Sequence, residues 1–75
     1  MARSVQVLRR AARLLFSFDH DHPERGVSEL ARLLDLPKAT VHRILTTLES
    51  DGLVQQNPEN GKYRLGFRLV KLGLL

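Results

Sequence analysis

Three residues, Asp35-Leu36-Pro37, separate two stretches of helical periodicity. A break that short obliges the two helices to pack against each other at an angle, as a helix-turn-helix. Ser28 is the expected N-cap of the first of them, after a short extended residue at Val27. Its buried side is expected to be Leu30, Ala31, Leu33 and Leu34, with its end near Leu34. Pro37 suits the first turn of the next helix, where its missing N–H costs nothing. That helix is expected to run to about Ser50 and stop at Gly52, a residue able to take a left-handed cap.

After Gly52 the period changes. Leu53 to Gln56 reads as a strand, Asn57-Pro58-Glu59-Asn60-Gly61 as a turn, and Lys62 to Leu65 as a return strand. Asn-Gly between two short extended runs is a strong hairpin signal. A hairpin directly after the second helix of the pair is a wing. The expected fold is therefore mainly α with a small β-hairpin, a winged helix-turn-helix. Residues 1–65 form the domain, and residues 66–75 begin a further helix that is apolar except for Arg68 and Lys71.

Upstream, Ser4 to Phe18 is a helical stretch with Ser4 as its expected cap. Gln6, Arg9, Arg10, Arg13 and Ser17 gather on one narrow strip at about 100° per residue. The remaining arc is apolar and wider than one core contact needs. Two readings stand. One buries a face on the domain's own core and a second on a partner helix, with Leu14 and Phe16 as candidate partner contacts. The other wedges the helix centrally in its own core.

Twelve Lys and Arg against eight Asp and Glu leave a net charge of +4, which suits a polyanionic partner. With no Cys there is no thiolate metal site and no thiol nucleophile, and no stretch is long and apolar enough to span a membrane. A cytoplasmic protein is expected. Asp19-His20-Asp21-His22 has the right residue types for a metal, but neighbouring loop residues do not converge on one ion unaided, so a hydrated acidic loop is the expectation. No Ser/His/Asp set and no glycine-rich phosphate loop is present. Neither enzyme activity nor a cofactor is expected.

The helix from Pro37 carries the functional expectation. Val41, Ile44, Leu45 and Leu48 share its inward side; Ala39, Arg43, Thr46, Thr47 and Ser50 lie opposite, with Thr40 and His42 on the flanks. A recognition helix reads bases from the major groove of duplex DNA with such side chains. Arg43 suits a guanine edge, and threonine suits a phosphate, a base or the thymine methyl. Lys38 and the first amides of the helix suit phosphate. His42 is open between a phosphate contact and an idle surface position. In the return strand, inward Tyr63 and Leu65 put Lys62 and Arg64 outward, toward the DNA backbone or as charges guarding a solvated edge strand. Ser28, at the start of the second helix, completes the candidate DNA-binding set. The rival expectation is a winged helix that binds protein instead, which predicts acidic or apolar residues on that outward side.

Leu36-Pro37-Lys38-Ala39-Thr40-Val41-His42-Arg43-Ile44-Leu45 and Asn57 to Gly66 resemble the N-terminal domain of IclR-type transcriptional regulators. Ser4-Val5-Gln6 with Arg10-Ala11, and Val27 to Ala31, fit the first and second helices of that family. The resemblance implies a homodimer formed largely through the first helix and the linker helix, bound to operator DNA. It also implies a separate effector-binding domain for small molecules, so the apolar end at Leu74-Leu75 is expected to lie within the linker helix. Two positions depart from the family pattern. Asp35 stands where Gly is usual, and Asp tolerates the left-handed conformation better than most residues. Ala39 stands where Ser is usual, which removes one hydroxyl contact.

Overall fold

The structure is a computed structural model that describes the backbone of residues 2–75 and the side chains of residues 5–75. Its elements are α1 (Ala2–Phe16), α2 (Val27–Leu34), α3 (Lys38–Ser50), β1 (Val54–Gln56), β2 (Tyr63–Leu65) and α4 (Phe67–Gly73). Helix α1 is continuous through the backbone of Ser4, so Ser4 is not its boundary, and that side chain lies outside the described residues. The helix also ends two residues before Phe18. There the Ser17 hydroxyl donates to the Leu14 carbonyl at 2.6 Å and competes with continuation of the helix.

Helix α2 begins two residues earlier than its hydroxyl suggested. Gly26 is the N-cap and Ser28 sits exposed inside the first turn. Glu29 reaches back so that its Oε1 accepts the Gly26 N–H at 3.4 Å. The extended residue here is Arg25, not Val27: it forms an isolated antiparallel bridge with Tyr63. Leu30, Ala31 and Leu34 are buried as expected, whereas Leu33 is 51% exposed.

Both helix stops depend on left-handed backbone. Asp35 has φ 55°, the one positive φ on a non-glycine residue among those described. Behind it, the Leu36 N–H donates to the Ala31 carbonyl at 3.0 Å and the Asp35 N–H to the Arg32 carbonyl at 3.3 Å. Helix α3 closes the same way: Gly52 has φ 77°, and the amides of Leu53 and Gly52 bond the carbonyls of Leu48 and Glu49, each at 3.0 Å. This paired 6→1 and 5→2 pattern satisfies carbonyls that a helix end otherwise leaves open. At the start of α3, Pro37 is the extended cap, one residue before the helix.

The two strands pair antiparallel in the register Val54↔Leu65, Gln55↔Arg64 and Gln56↔Tyr63. Side chains alternate across a strand, so Val54 and Tyr63 point inward while Gln55 and Arg64 share the outward face. The core is formed by Leu14, Phe18, Leu30, Ala31, Leu34, Val41, Leu45, Val54 and Tyr63. Each fully buried aliphatic side chain there contributes about 1.5–3 kcal/mol relative to exposure. Gly66 joins the hairpin to α4 at a spot where a Cβ would lie 2.1 Å from the Gly52 carbonyl oxygen, so only glycine fits. Helix α4 buries no residue of its own; Phe67, Val70, Leu72 and Leu74 are exposed.

Helix α1 is not wedged centrally. Leu14 is fully buried and Phe18 nearly so, but Val5, Val7, Leu8 and Phe16 are exposed. Leu14 is therefore a core residue and not a partner contact, while Phe16, at 82% exposure, remains open. Val5, Leu8, Ala12 and Phe16 fall on one side at helical spacing, an apolar stripe on which Val5, Leu8 and Phe16 are exposed and Ala12 is half-buried.

Candidate nucleic-acid interface

Helix α3 holds its inward side by Val41 and Leu45, both 0% exposed, with Ile44 and Leu48 packed against the core. That anchoring leaves Lys38, Ala39, His42, Arg43, Thr46, Thr47 and Ser50 exposed, with Thr40 half-buried. No carboxylate pairs with Arg43 in the ion pairs among the described residues. Its guanidinium is open to a partner from outside.

The hydroxyls on this face are oriented by the helix itself. Thr46 donates to the His42 carbonyl and Thr47 to the Arg43 carbonyl, both at 2.9 Å, and Ser50 donates to the Thr47 carbonyl at 2.7 Å. With their protons engaged, these oxygens turn lone pairs outward and present acceptors. At the other end, Pro37 gives no side-chain cap. The amides of Lys38 and Ala39 lie in the first turn, where intrahelical acceptors are missing, so they suit an anion beside the Lys38 ammonium.

The wing presents Lys62 and Arg64 outward, as the inward burial of Tyr63 requires. Gln55, paired across from Arg64, shares that face and was not singled out from sequence; the strand register is the signal that finds it. Arg64 is not wholly free, because its Nη1 lies 3.9 Å from Glu24 Oε2. Glu24 is the centre of a small latch. Its Oε1 accepts the Asn60 amide at 3.0 Å and its Oε2 the Asn57 amide at 3.1 Å. These two bonds outweigh the opposing effect of burial and, with smaller contributions from Arg64 and Lys62, hold its carboxyl below the ordinary glutamate range. The turn is further fixed by Asn57 Oδ1 on the Glu59 amide and Asn60 Oδ1 on the Lys62 amide, both 2.9 Å.

Ser28 stands apart: among the described residues no hydrogen bond ties it to the outward side of α3. Arg10, in contrast, lines a groove of about 590 Å³ between α1 and α3 together with Thr40, Arg43 and Thr47. Residues 19–22 close a turn. Asp19 Oδ1 accepts the His22 amide at 2.8 Å and lies 3.3 Å from its Nδ1, and the amide bond lowers the Asp19 carboxyl below its ordinary value. Among the described residues no three His, Asp or Glu side chains converge on a metal position.

A helix pair joined by a three-residue turn, continued by a hairpin and then a fourth helix, defines a winged helix-turn-helix. The chain belongs to the IclR helix-turn-helix domain family, whose model matches residues 7–58, a DNA-binding domain of transcriptional regulators. It is 42% identical over 69 residues to the HTH-type transcriptional regulator XynR of Escherichia coli, covering 92% of this chain and 27% of that protein. The crystal structure of an IclR family transcriptional regulator from Brucella abortus superposes with a TM-score of 0.84 at 32% identity, over 91% of this chain and 26% of that one. An IclR homologue from Microbacterium hydrocarbonoxydans, solved with 4-hydroxybenzoate, gives 0.81 at 33% identity over 88% and 27%. The chain thus spans about a quarter of the length of the relatives it matches. Among the described residues no helix is long and apolar enough to cross a membrane.

Proposed function

We propose that this domain binds operator DNA sequence-specifically, with α3 in the major groove and the hairpin beside it on the backbone. The observation that carries the reading is the open side of α3, where Arg43 is exposed and unpaired among the described residues beside Thr46 and Thr47. Arg43 reads a guanine edge; Thr40, Thr46 and Thr47 contact bases or phosphates; Lys38 and the first amides of α3 hold a phosphate. Ala39 faces the groove without a hydroxyl, His42 and Ser28 flank the backbone, and Lys62 and Arg64 reach it from the wing. The role is regulatory and not catalytic, in the cytoplasm.

The exposed Val5, Leu8 and Phe16 of the α1 stripe support a homodimer through α1, extended by the exposed apolar residues of α4. Residues 1–65 are the DNA-binding unit and residues 66–75 the start of a linker toward a domain that senses a small-molecule effector.

Titrating the protein with duplex DNA at several salt concentrations tests the reading. Phosphate contacts release counterions, so affinity falls steeply from low to physiological salt. A chain that binds no duplex in a salt-dependent way would instead be a protein-interaction module.

A further inference from the structure

Helix α1 contains no Asp or Glu, and its Arg9, Arg10 and Arg13 project on one strip. The ion pairs among the described residues are His22 with Asp19, Arg25 with Glu29 and Arg64 with Glu24, so none engages these three arginines. Arg9 and Arg13 are exposed and Arg10 is half-buried. Together with Gln6 they line a concavity of about 410 Å³ whose other wall is Leu34, Asp35 and Leu36, the turn that leads into α3. Asp35 is the one carboxylate lining it. Arg10 also borders the groove that holds Thr40 and Arg43. The strip is therefore continuous with the open side of α3.

We infer that Arg9, Arg10 and Arg13 form a second DNA-backbone contact, gripping phosphates of the same duplex that flank the stretch read by α3. This rests on α3 being the groove-reading helix. Charge complementarity and continuity with that face select the occupant. Guanidinium forks match phosphate oxygens two at a time, and a row of three with no ion-pair partner among the described residues offers its charge to an outside polyanion. Such contacts carry no base information. They fix the angle at which α3 enters the groove and add affinity to every sequence alike.

The test compares the wild-type chain with the double variant Arg9→Gln/Arg13→Gln, whose exposed sites leave the core untouched. The measurements are the slope of log affinity against log salt and the phosphates whose ethylation blocks binding. The slope of the double variant is expected to be shallower by roughly 2, one unit for each lost phosphate contact, with the same fold loss on selected and unrelated duplexes. Ethylation-sensitive phosphates outside the α3 and wing footprint are expected to disappear. Arg9→Lys/Arg13→Lys keeps the charges and keeps the slope, which separates phosphate contact from structural damage. A double variant with the wild-type slope and ethylation pattern overturns this second contact while leaving the α3 reading intact. Wild-type protein that binds no duplex overturns both.

Discussion

Arg25 and Tyr63 exchange both backbone hydrogen bonds, Arg25 N–H to the Tyr63 carbonyl at 2.9 Å and Tyr63 N–H to the Arg25 carbonyl at 2.8 Å. The hairpin is thereby tied to the segment before α2. Arg25, 9% exposed, ties the same spot to the turn after α1 and to α2: its Nε donates to the Ser17 carbonyl at 2.8 Å, and its Nη1 pairs with Glu29. Truncation strands the Ser17 carbonyl and leaves the Glu29 carboxylate only its bond from the Gly26 amide. Arg25→Ala is expected to lower unfolding stability by about 2 kcal/mol, a typical cost for charge-assisted bonds at a partly buried site. Urea denaturation checks it through a lower midpoint at unchanged slope.

Leu14 and Phe16 lie two residues apart on α1 and behave oppositely. Leu14→Ala is expected to cost about 2–5 kcal/mol because it opens a cavity in a small core. Phe16→Ala is expected to change monomer stability by less than about 0.5 kcal/mol. Denaturation at low protein concentration distinguishes the two, and sedimentation of Phe16→Asp reads the effect on association.

Asp35 holds a left-handed backbone that costs most non-glycine residues about 1–2 kcal/mol. Asp35→Gly removes that strain but frees the unfolded chain, so a net gain of up to about 1 kcal/mol is expected. Asp35→Val is expected to lose about 1–2 kcal/mol, since a β-branched residue resists this region. Thermal midpoints of the two variants should move in opposite directions.

The Glu24 latch makes the wing sensitive to acid. Its carboxyl is held below the ordinary value in the folded state, first by Asn60 and Asn57. The contact is therefore fully present above the unfolded pKa, near 4.3 for a free glutamate, and is lost as pH falls through the lower folded value. Side-chain amide resonances of Asn57 and Asn60 are expected to shift through that acidic window in the wild type. In Glu24→Gln that titration should be absent.

What the sequence makes legible is local. Gly52 and Gly61 announce left-handed turns, Asp35-Leu36-Pro37 a helix break, and the spacing of Val41, Ile44, Leu45 and Leu48 one buried side of α3. Those features depend on residues within a turn or two of one another. The Glu24 bonds to Asn57 and Asn60 span 33 and 36 positions, and no periodicity reports a partner that distant. The α2 cap misled for a related reason. Ser28 is a favoured cap by type, but the Arg25–Tyr63 bridge extends the backbone up to Gly26, and the helix starts from there. On α1 the width of the apolar arc was visible, while its division between core and open surface depended on where α2 packs. The arginine strip was visible too; its neighbour, the turn into α3, was not.

Base reading by Arg43 is the central claim, and selection from a random duplex pool with wild type and Arg43→Ala in parallel measures it directly. Wild type should enrich a two-fold-related site with guanine fixed at one position of each half. In the variant that position alone should relax, by about 1–3 kcal/mol of discrimination, while the rest of the site persists. Identical enriched sites for the two proteins would contradict the account.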